Sequence, residues 1–155
     1  MLKQSLDSID LNILRILQDD AAISNVILAR KVGLSPSPCL RRVQLLEERG
    51  IIRRRVTLLD PPAVGLGMNV FVQVTLEKQT ERTLAQFERK IMEYPEVLEC
   101  YLMTGEADYL LRVVLNDMES FERFVVDRLT RIAGVARVRS SFAMKQVKYT
   151  TRLPL

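Results

Sequence analysis

Basic side chains are concentrated in one short window of this sequence, and they are its strongest candidates for binding a ligand. Residues 30–55 contain Arg30, Lys31, Arg41, Arg42, Arg49, Arg53, Arg54 and Arg55, against only Glu47 and Glu48. Eight positive charges less two negative charges give +6, whereas the whole 155-residue chain carries +4. Clustered Lys and Arg neutralise phosphates. The window therefore predicts a nucleic acid as partner.

Side chains that most enzymes and metal sites require are absent from the sequence. There is no His, which excludes an imidazole base, a Ser-His-Asp triad and a His-ligated metal. Cys39 and Cys100 are the two cysteines, too few and too far apart for a zinc site of the CxxC type. We therefore expect a protein that is not an enzyme, with no catalytic residues, metal or cofactor.

The sequence gives no sign of export or membrane insertion. Its first twelve residues lack the apolar stretch of a signal peptide. No segment approaches the ~18 apolar residues of a membrane span. We therefore expect a cytoplasmic protein with no membrane partner.

Three helices are predicted for the first half of the chain. Apolar residues recur at three- and four-residue steps from Leu6 to Leu17, a pattern typical of an amphipathic helix. Ser24 suits the N-cap of a second helix, and Gly33 suits the turn that ends it. A third helix begins near Ser35 or Ser37, where a Pro in the first turn is tolerated, and ends at Gly50. This order predicts a helix-turn-helix domain.

The third helix is the predicted DNA-reading element, because a major groove admits one α-helix. The candidate DNA-binding residues are Ser24, Asn25, Ser35, Ser37, Pro38, Arg41, Arg42, Arg53, Arg54 and Arg55. All nine aromatic residues lie between Phe71 and Tyr149, so the helical half lacks the rings on which single-stranded bases stack. Duplex DNA is therefore the favoured partner, and the alternative is a three-helix domain with a solvated basic face.

A basic strand and a linker are predicted after the helices. Ile51–Leu59 is rich in β-branched and apolar residues, with Arg53, Arg54 and Arg55 at its centre. The alternative function of these arginines is to protect a sheet edge by charge. Residues 60–67 contain two Pro and two Gly and are predicted to be a linker. The predicted domains are therefore 1–59, which includes the strand, and 68–155.

The second half repeats a strand, a helix and a strand twice. The predicted strands are 68–77, 97–103, 108–115 and 135–147, and the predicted helices are 80–94 and one that begins at Asn116 or Asp117. Right-handed crossovers place both helices on one side of an antiparallel sheet, the ferredoxin-like βαββαβ arrangement. The fold class is α+β. The uncovered sheet face predicts a homodimer.

The turn between the second and third strands is the candidate small-molecule site. Gly105 exposes backbone N–H groups that suit a carboxylate, and Glu106 or Asp108 can pair with an ammonium group. Together these groups suit an α-amino acid. The alternative is a polar hairpin loop in which Gly adopts a positive φ.

Two stretches of the sequence carry specific motifs. The first contains D-x-x-D-x-x-I-L-x-x-L-Q at Asp7–Gln18 and V-G-L-S-x-[ST]-P-C-L-x-R-V-x-x-L-E-x-x-G-[IF]-I at Val32–Ile52. The second is E-C-x-L-x-[ST]-G-x-x-D-Y-L-L at Glu99–Leu111. On these motifs the chain resembles the Lrp/AsnC family of bacterial and archaeal transcription regulators, closest to its leucine-responsive branch. The resemblance implies a winged-helix-like helix-turn-helix domain, a ferredoxin-like effector and oligomerisation domain, and dimers that assemble into octamers.

The resemblance also implies an amino-acid effector that binds between dimers, near the turn between the second and third strands. The effector-binding residues expected by position are Tyr101, Thr104, Gly105, Glu106, Asp108, Ser140, Ser141 and Phe142. Ala107 replaces a common aromatic, which favours a larger pocket and Leu or Met as effector. Arg54-Arg55 stands where many relatives have Gly-Tyr, which favours non-specific phosphate contact.

The predicted function is a transcription regulator in the bacterial nucleoid that senses an amino acid and controls genes of amino-acid and nutrient metabolism. The alternative is an architectural, nucleoid-associated DNA-binding protein without an effector. This alternative predicts that amino acids do not change the affinity of the protein for DNA.

Overall fold

A computed structural model describes residues 6–155, which form two compact units. The helical unit comprises the chain up to Thr57 together with Lys148–Leu155, and the sheet unit comprises Leu58–Val147. The helical unit contains α1 (Ser8–Asp19), α2 (Asn25–Lys31) and α3 (Pro36–Glu48). Residues 1–5 of the predicted first domain lie outside the described residues.

Local capping sets where these helices begin. The Asp7 carboxylate accepts from the Asp10 amide N–H at 2.8 Å, which satisfies a donor that has no helical partner at the start of α1. The Ser24 hydroxyl accepts from the Ile27 N–H at 3.4 Å at the start of α2. Gly33 follows α2 with a φ of 71°, which other residues rarely adopt. The buried side chains of this unit are Ile13, Leu14, Leu28, Ala29, Cys39, Val43 and Leu46.

The strand predicted at Ile51–Leu59 is not formed in the described part of the chain. Residues 53–59 are exposed, and none of them pairs with a strand of the sheet. A strand is stabilised by a neighbour that accepts and donates its ladder hydrogen bonds. High β-propensity without such a neighbour leaves this segment irregular, and the prediction is wrong for the single chain.

The sheet unit has the predicted ferredoxin-like order. Its strands are β1 (Met68–Leu76), β2 (Val97–Leu102), β3 (Tyr109–Leu115) and β4 (Val135–Phe142), hydrogen-bonded in the order β2-β3-β1-β4. All neighbouring strands are antiparallel. The helix α4 (Glu81–Ile91) connects β1 to β2, and α5 (Met118–Arg123), extended by a π-helical segment (Phe124–Leu129), connects β3 to β4. A short 3₁₀ turn, Pro62–Val64, lies in the predicted linker.

The core of the sheet unit lies between one sheet face and the helices. Alternate residues of β1 and β3 pack against Phe87, Phe124 and Leu129. We call the opposite side of the sheet the open face; it carries Phe71, Gln73, Thr75, Tyr101, Leu110, Arg112, Arg137, Arg139 and Ser141. The fold class predicted from the sequence is confirmed.

The last eight residues depart from the sequence-based domain assignment. The predicted second domain extends to residue 155, but residues 148–155, which we call the tail segment, pack in the helical unit. The strand predicted to reach Val147 ends at Phe142, which pairs with Val70 near the start of β1. Beyond that point β1 offers few residues to pair with, so the chain leaves the sheet.

Replacement of Gly134 by Ala is expected to destabilise the sheet unit by about 1–2 kcal/mol. Gly134 has a φ of 91°, and an added Cβ would lie 2.7 Å from Cγ2 of Thr83. Urea unfolding followed by far-UV circular dichroism measures the loss. Gly67→Ala is the control, because Gly67 has no positive φ and nothing within 4 Å of an added Cβ. Equal stability of the two variants would contradict the prediction.

None of the described helices is long and apolar enough to cross a membrane.

Candidate functional site

The outer face of α3 is the candidate nucleic-acid interface. Cys39, Val43 and Leu46 are buried on the inner face of α3. Ser37 and Arg41, which lie one turn apart, are exposed on the other side. Gln44 and Glu48 continue this exposed face toward the end of the helix. One side of α3 is therefore fixed by the core, and the other is free to enter a groove.

The start of α3 offers hydroxyl groups more than amides. Ser35 is the N-cap, but its side chain makes no capping hydrogen bond. Pro36 and Pro38 lack N–H groups, so two amides that would bind a phosphate at a helix start are absent. Ser35, Ser37 and Pro38, which are predicted to contact DNA, are exposed. The hydroxyls of Ser35 and Ser37 and the N–H of Ser37 are the donors available here.

Arg42 does not have the solvent-facing position predicted for it. Its Nη1 atom lies 2.7 Å from Oδ2 of Asp7 and 2.8 Å from Oδ1 of Asp10, so the guanidinium joins α3 to α1. These two hydrogen bonds raise the pKa of Arg42. The Asp10 amide and then the Arg42 guanidinium hold the pKa of Asp7 below its ordinary value. We infer that Arg42 positions α3, because its charge is already paired.

Ser24 and Asn25, both predicted to contact DNA, have structural roles at the start of α2. Ser24 caps α2 and is exposed. Asn25 donates from Nδ2 to the main-chain oxygen of Pro36 at 2.8 Å. This bond holds the start of α2 against the start of α3. The side-chain donor of Asn25 is therefore used within the protein.

The arginines after α3 also differ from one another. Arg55 pairs with Glu47 at 3.0 Å, which ties the segment to the end of α3. Arg53 and Arg54 are exposed. Within residues 6–155, no ion pair engages Arg30, Lys31, Arg41, Arg53 or Arg54. Among the described residues of the 30–55 window, these five cations are the candidates for phosphate contact, fewer than the eight that the window contains.

Asp108 is part of the framework of the turn between β2 and β3. It is buried, and its Oδ2 accepts from the Leu76 N–H at 2.6 Å while Oδ1 accepts from the Gln79 side chain at 2.5 Å. Its own N–H donates to the Val74 carbonyl at 2.9 Å. The expectation that Asp108 can pair with a ligand ammonium group is therefore not supported by its position.

The rest of this turn is exposed and adjoins the open face. Thr104, Gly105 and Glu106 are exposed, and Gly105 has a φ of 122°. A small cleft lies beside the turn on the open face; it is lined by Gln73, Thr75, Glu106, Ala107, Arg137 and Arg139. We call it the open-face cleft. Neither Arg137 nor Arg139 forms an ion pair or side-chain hydrogen bond within the described residues.

The predicted effector residues on β4 and β2 do not share one surface. Ser141 pairs with Phe71 on the open face, whereas Ser140 pairs with buried Val72 on the side that faces the helices. Phe142 also lies on the helical side, where its ring packs edge-on against Phe121 at 5.0 Å. Tyr101 is on the open face, and its hydroxyl donates to Glu99 at 2.9 Å.

The open-face cleft has the charges needed to hold a zwitterion. Guanidinium groups bind carboxylates by charge-assisted hydrogen bonds, and Glu106 can accept from an ammonium group. Sequence reasoning missed Arg137 and Arg139, although both alternate with Val138 at the period of a strand. That alternation already placed them on the face opposite the core.

Comparisons with known proteins agree with this division into two functions. Residues 6–53 match a model described as winged helix-turn-helix DNA-binding, and residues 69–153 match the Lrp/AsnC ligand binding domain. A Bkd operon transcriptional regulator of Pseudomonas aeruginosa is 49% identical over 97% of this chain and 98% of its own length. A leucine-responsive regulatory protein of Rhizobium meliloti is 42% identical, over 96% and 95%.

A solved structure has the same fold along nearly its whole length. It is a transcriptional regulator of Neisseria meningitidis in complex with L-Met, 43% identical, with a TM-score of 0.92 and 97% of each chain covered. The relatives are transcription regulators, which confirms the prediction that the protein is not an enzyme. The helix-turn-helix unit and the ligand-binding sheet unit together show that the chain belongs to the Lrp/AsnC family of transcription regulators.

Proposed function

We propose that this transcription regulator senses an α-amino acid in the open-face cleft. The observation that carries the proposal is the juxtaposition of Glu106 with two arginines that have no partner among the described residues. In this arrangement Arg137 and Arg139 bind the carboxylate and Glu106 accepts from the ammonium group. The open-face cleft is shallow in the single chain, and a second dimer placed against the turn encloses the ligand.

Leu or Met is the proposed effector. Ala107 lines the open-face cleft, and its small side chain takes up less space there than an aromatic residue would. The similar Neisseria meningitidis regulator is crystallised with L-Met. An amino acid of this type fits control of genes for amino-acid and nutrient metabolism. The dimer is proposed to assemble into an octamer, with the effector at the contact between dimers.

The proposed DNA mode places α3 in a major groove of duplex DNA. Ser35, Ser37 and Arg41 face the bases and nearby phosphates, while Arg53 and Arg54 add phosphate contacts. Arg30 and Lys31 lie near the end of α2, where they add to the positive surface. Ligand binding changes DNA affinity because the two binding events favour the same assembly state.

Replacement of Arg139 by Ala is expected to weaken amino-acid binding about tenfold or more. Charge-assisted hydrogen bonds contribute about 1.5–3 kcal/mol each, and Ala removes them without disturbing the core. Isothermal titration of L-Leu and L-Met into the full-length protein measures the change. Arg131→Ala is the control, since Arg131 pairs with Asp127 on the surface of the helical side.

Two results would overturn the proposed function. If titration of the standard amino acids into the wild-type protein gives no heat of binding, the proposal of an amino-acid effector is wrong. DNA affinity unchanged by a bound amino acid would instead favour an architectural DNA-binding protein. Native mass spectrometry with and without L-Met measures assembly and ligand occupancy in the same experiment.

A further inference from the structure

The tail segment is held on α1 by three side chains that lie on one side of that helix. Gln18 accepts from the Leu153 N–H at 2.6 Å and donates to the Leu153 carbonyl at 3.3 Å. Arg15 donates from Nε to the Leu155 carbonyl at 2.9 Å. Arg152 pairs with Asp19 at 3.0 Å. Residues three and four apart on a helix are neighbours, so Arg15, Gln18 and Asp19 form one continuous docking surface.

This docking surface recognises mainly the backbone of the tail segment. Three of the four contacts use main-chain N–H or C=O groups. Leu153 is 64% exposed, so apolar burial does little to hold it. Hydrogen bonds between exposed groups exchange readily with water. The tail segment is thus held specifically but can be released without breaking a core.

The tail segment is also the direct continuation of the strand that lines the open-face cleft. Arg137 and Arg139 lie on β4, and β4 ends at Phe142. Only residues 143–147 separate that end from Lys148, where the tail segment begins. These five residues contain no Gly, and they reach at most about 3.3–3.6 Å per residue. The connection between β4 and the tail segment is therefore short.

We propose that the tail segment is a strap that passes the ligand state of the open-face cleft to the helical unit. It rests on the proposed function, because it assigns a route of regulation to the same cleft. With the strap docked, α1 is tied to β4 by covalent chain and hydrogen bonds. Ligand at Arg137 and Arg139 shifts the balance between docked and released strap, and DNA affinity changes with that balance.

The test compares the full-length wild type with the double variant Gln18→Ala/Arg152→Ala. The variant removes two Gln18 hydrogen bonds and the ion pair to Asp19. The matched control is Lys148→Ala/Thr151→Ala, which changes two residues of the same segment whose side chains form no hydrogen bond or ion pair with the described residues of α1. Hydrogen exchange of the Leu153 amide measures docking. Titration with L-Met and L-Leu and fluorescence anisotropy with duplex DNA measure ligand binding and coupling.

The expected result separates ligand binding from coupling, which is the effect of bound ligand on DNA affinity. The double variant should bind the amino acid and DNA, but saturating ligand should change its DNA Kd by less than twofold. Wild type and control should show the full ligand effect and a protected Leu153 amide. Wild-type coupling retained in the double variant, or an unprotected Leu153 amide in the wild type, overturns the strap.

Failure of the proposed function has a different signature. If the wild type binds no amino acid, the sensor proposal falls, and with it the strap's regulatory role, whatever the exchange data show. If the wild type binds ligand and the ligand changes DNA affinity, the sensor proposal stands. The result for the double variant then tests the strap proposal independently of the sensor proposal.

Discussion

Replacement of Arg41 by Ala is expected to weaken DNA binding, whereas replacement of the adjacent Arg42 is expected to destabilise the helical unit first. Arg41 is exposed on the outer face of α3, with no ion pair among the described residues. Each lost phosphate contact reduces the salt slope of binding by about 0.9 and weakens binding to all sequences alike. Arg42 is held by Asp7 and Asp10, so its loss removes the polar link between α3 and α1.

Fluorescence anisotropy with duplex DNA at several salt concentrations measures the Arg41→Ala effect. Its melting temperature should equal that of the wild type. Arg42→Ala should lower the melting temperature by several degrees and leave the salt slope of the folded protein unchanged. A reduced salt slope for Arg42→Ala, with normal stability, would show that Arg42 contacts DNA.

The Arg42 contribution should also depend on pH. The folded-state pKa of Asp7 is lowered by the Asp10 amide and by Arg42, so the ionised carboxylate stabilises the fold above its ordinary pKa of 3.8. That contribution is lost as the pH falls through the lowered pKa. The stability difference between wild type and Arg42→Ala should therefore be full at neutral pH and shrink below pH ~4.

Replacement of Asp108 by Ala is expected to lower the stability of the sheet unit by about 2–3 kcal/mol, the largest stability loss that we predict. The carboxylate accepts from the Leu76 N–H in a buried setting, and Ala leaves that donor without a partner. An unsatisfied buried donor costs about 1–3 kcal/mol. The loss of the Gln79 contact adds to the effect.

Glu106 provides the matched control two residues away. It is exposed in the same turn and makes no hydrogen bond within the described residues. Glu106→Ala should retain wild-type stability in urea unfolding and lose amino-acid affinity in titration. Equal stability of Asp108→Ala and Glu106→Ala would show that Asp108 is not a structural group.

Periodicity predicted the elements of this fold well because each element shows its buried face in its own residues. Alternation in β1 and three- and four-residue steps in α1 both correspond to the observed elements. Three- and four-residue steps do not identify the buried residues of α5 and its π-helical extension. Met118 is exposed, whereas Phe124 is buried. The π-helical segment changes the spacing, so Phe124 and Leu129, five residues apart, both face the core.

Contacts between distant residues decided what the sequence alone left open. Arg41 and Arg42 are adjacent and chemically alike, and only the fold brings Asp7 and Asp10 to one of them. Glu106 and Asp108 differ for the same reason, since the Leu76 N–H donates to Asp108 and not to Glu106. The strand expected at Ile51–Leu59 required a neighbouring strand, and local propensity carries no information about a neighbour.

The packing of residues 148–155 against α1 has a consequence for exchange of segments between related genes. A crossover near residue 57 transfers α1 from one parent and its Leu153 partner from the other. The crossover point then does not coincide with the division of the chain into two compact units. In such a chimaera the Asp19–Arg152 ion pair needs matching residues from the two parents, whereas the hydrogen bonds from Arg15 and Gln18 to the tail-segment backbone do not.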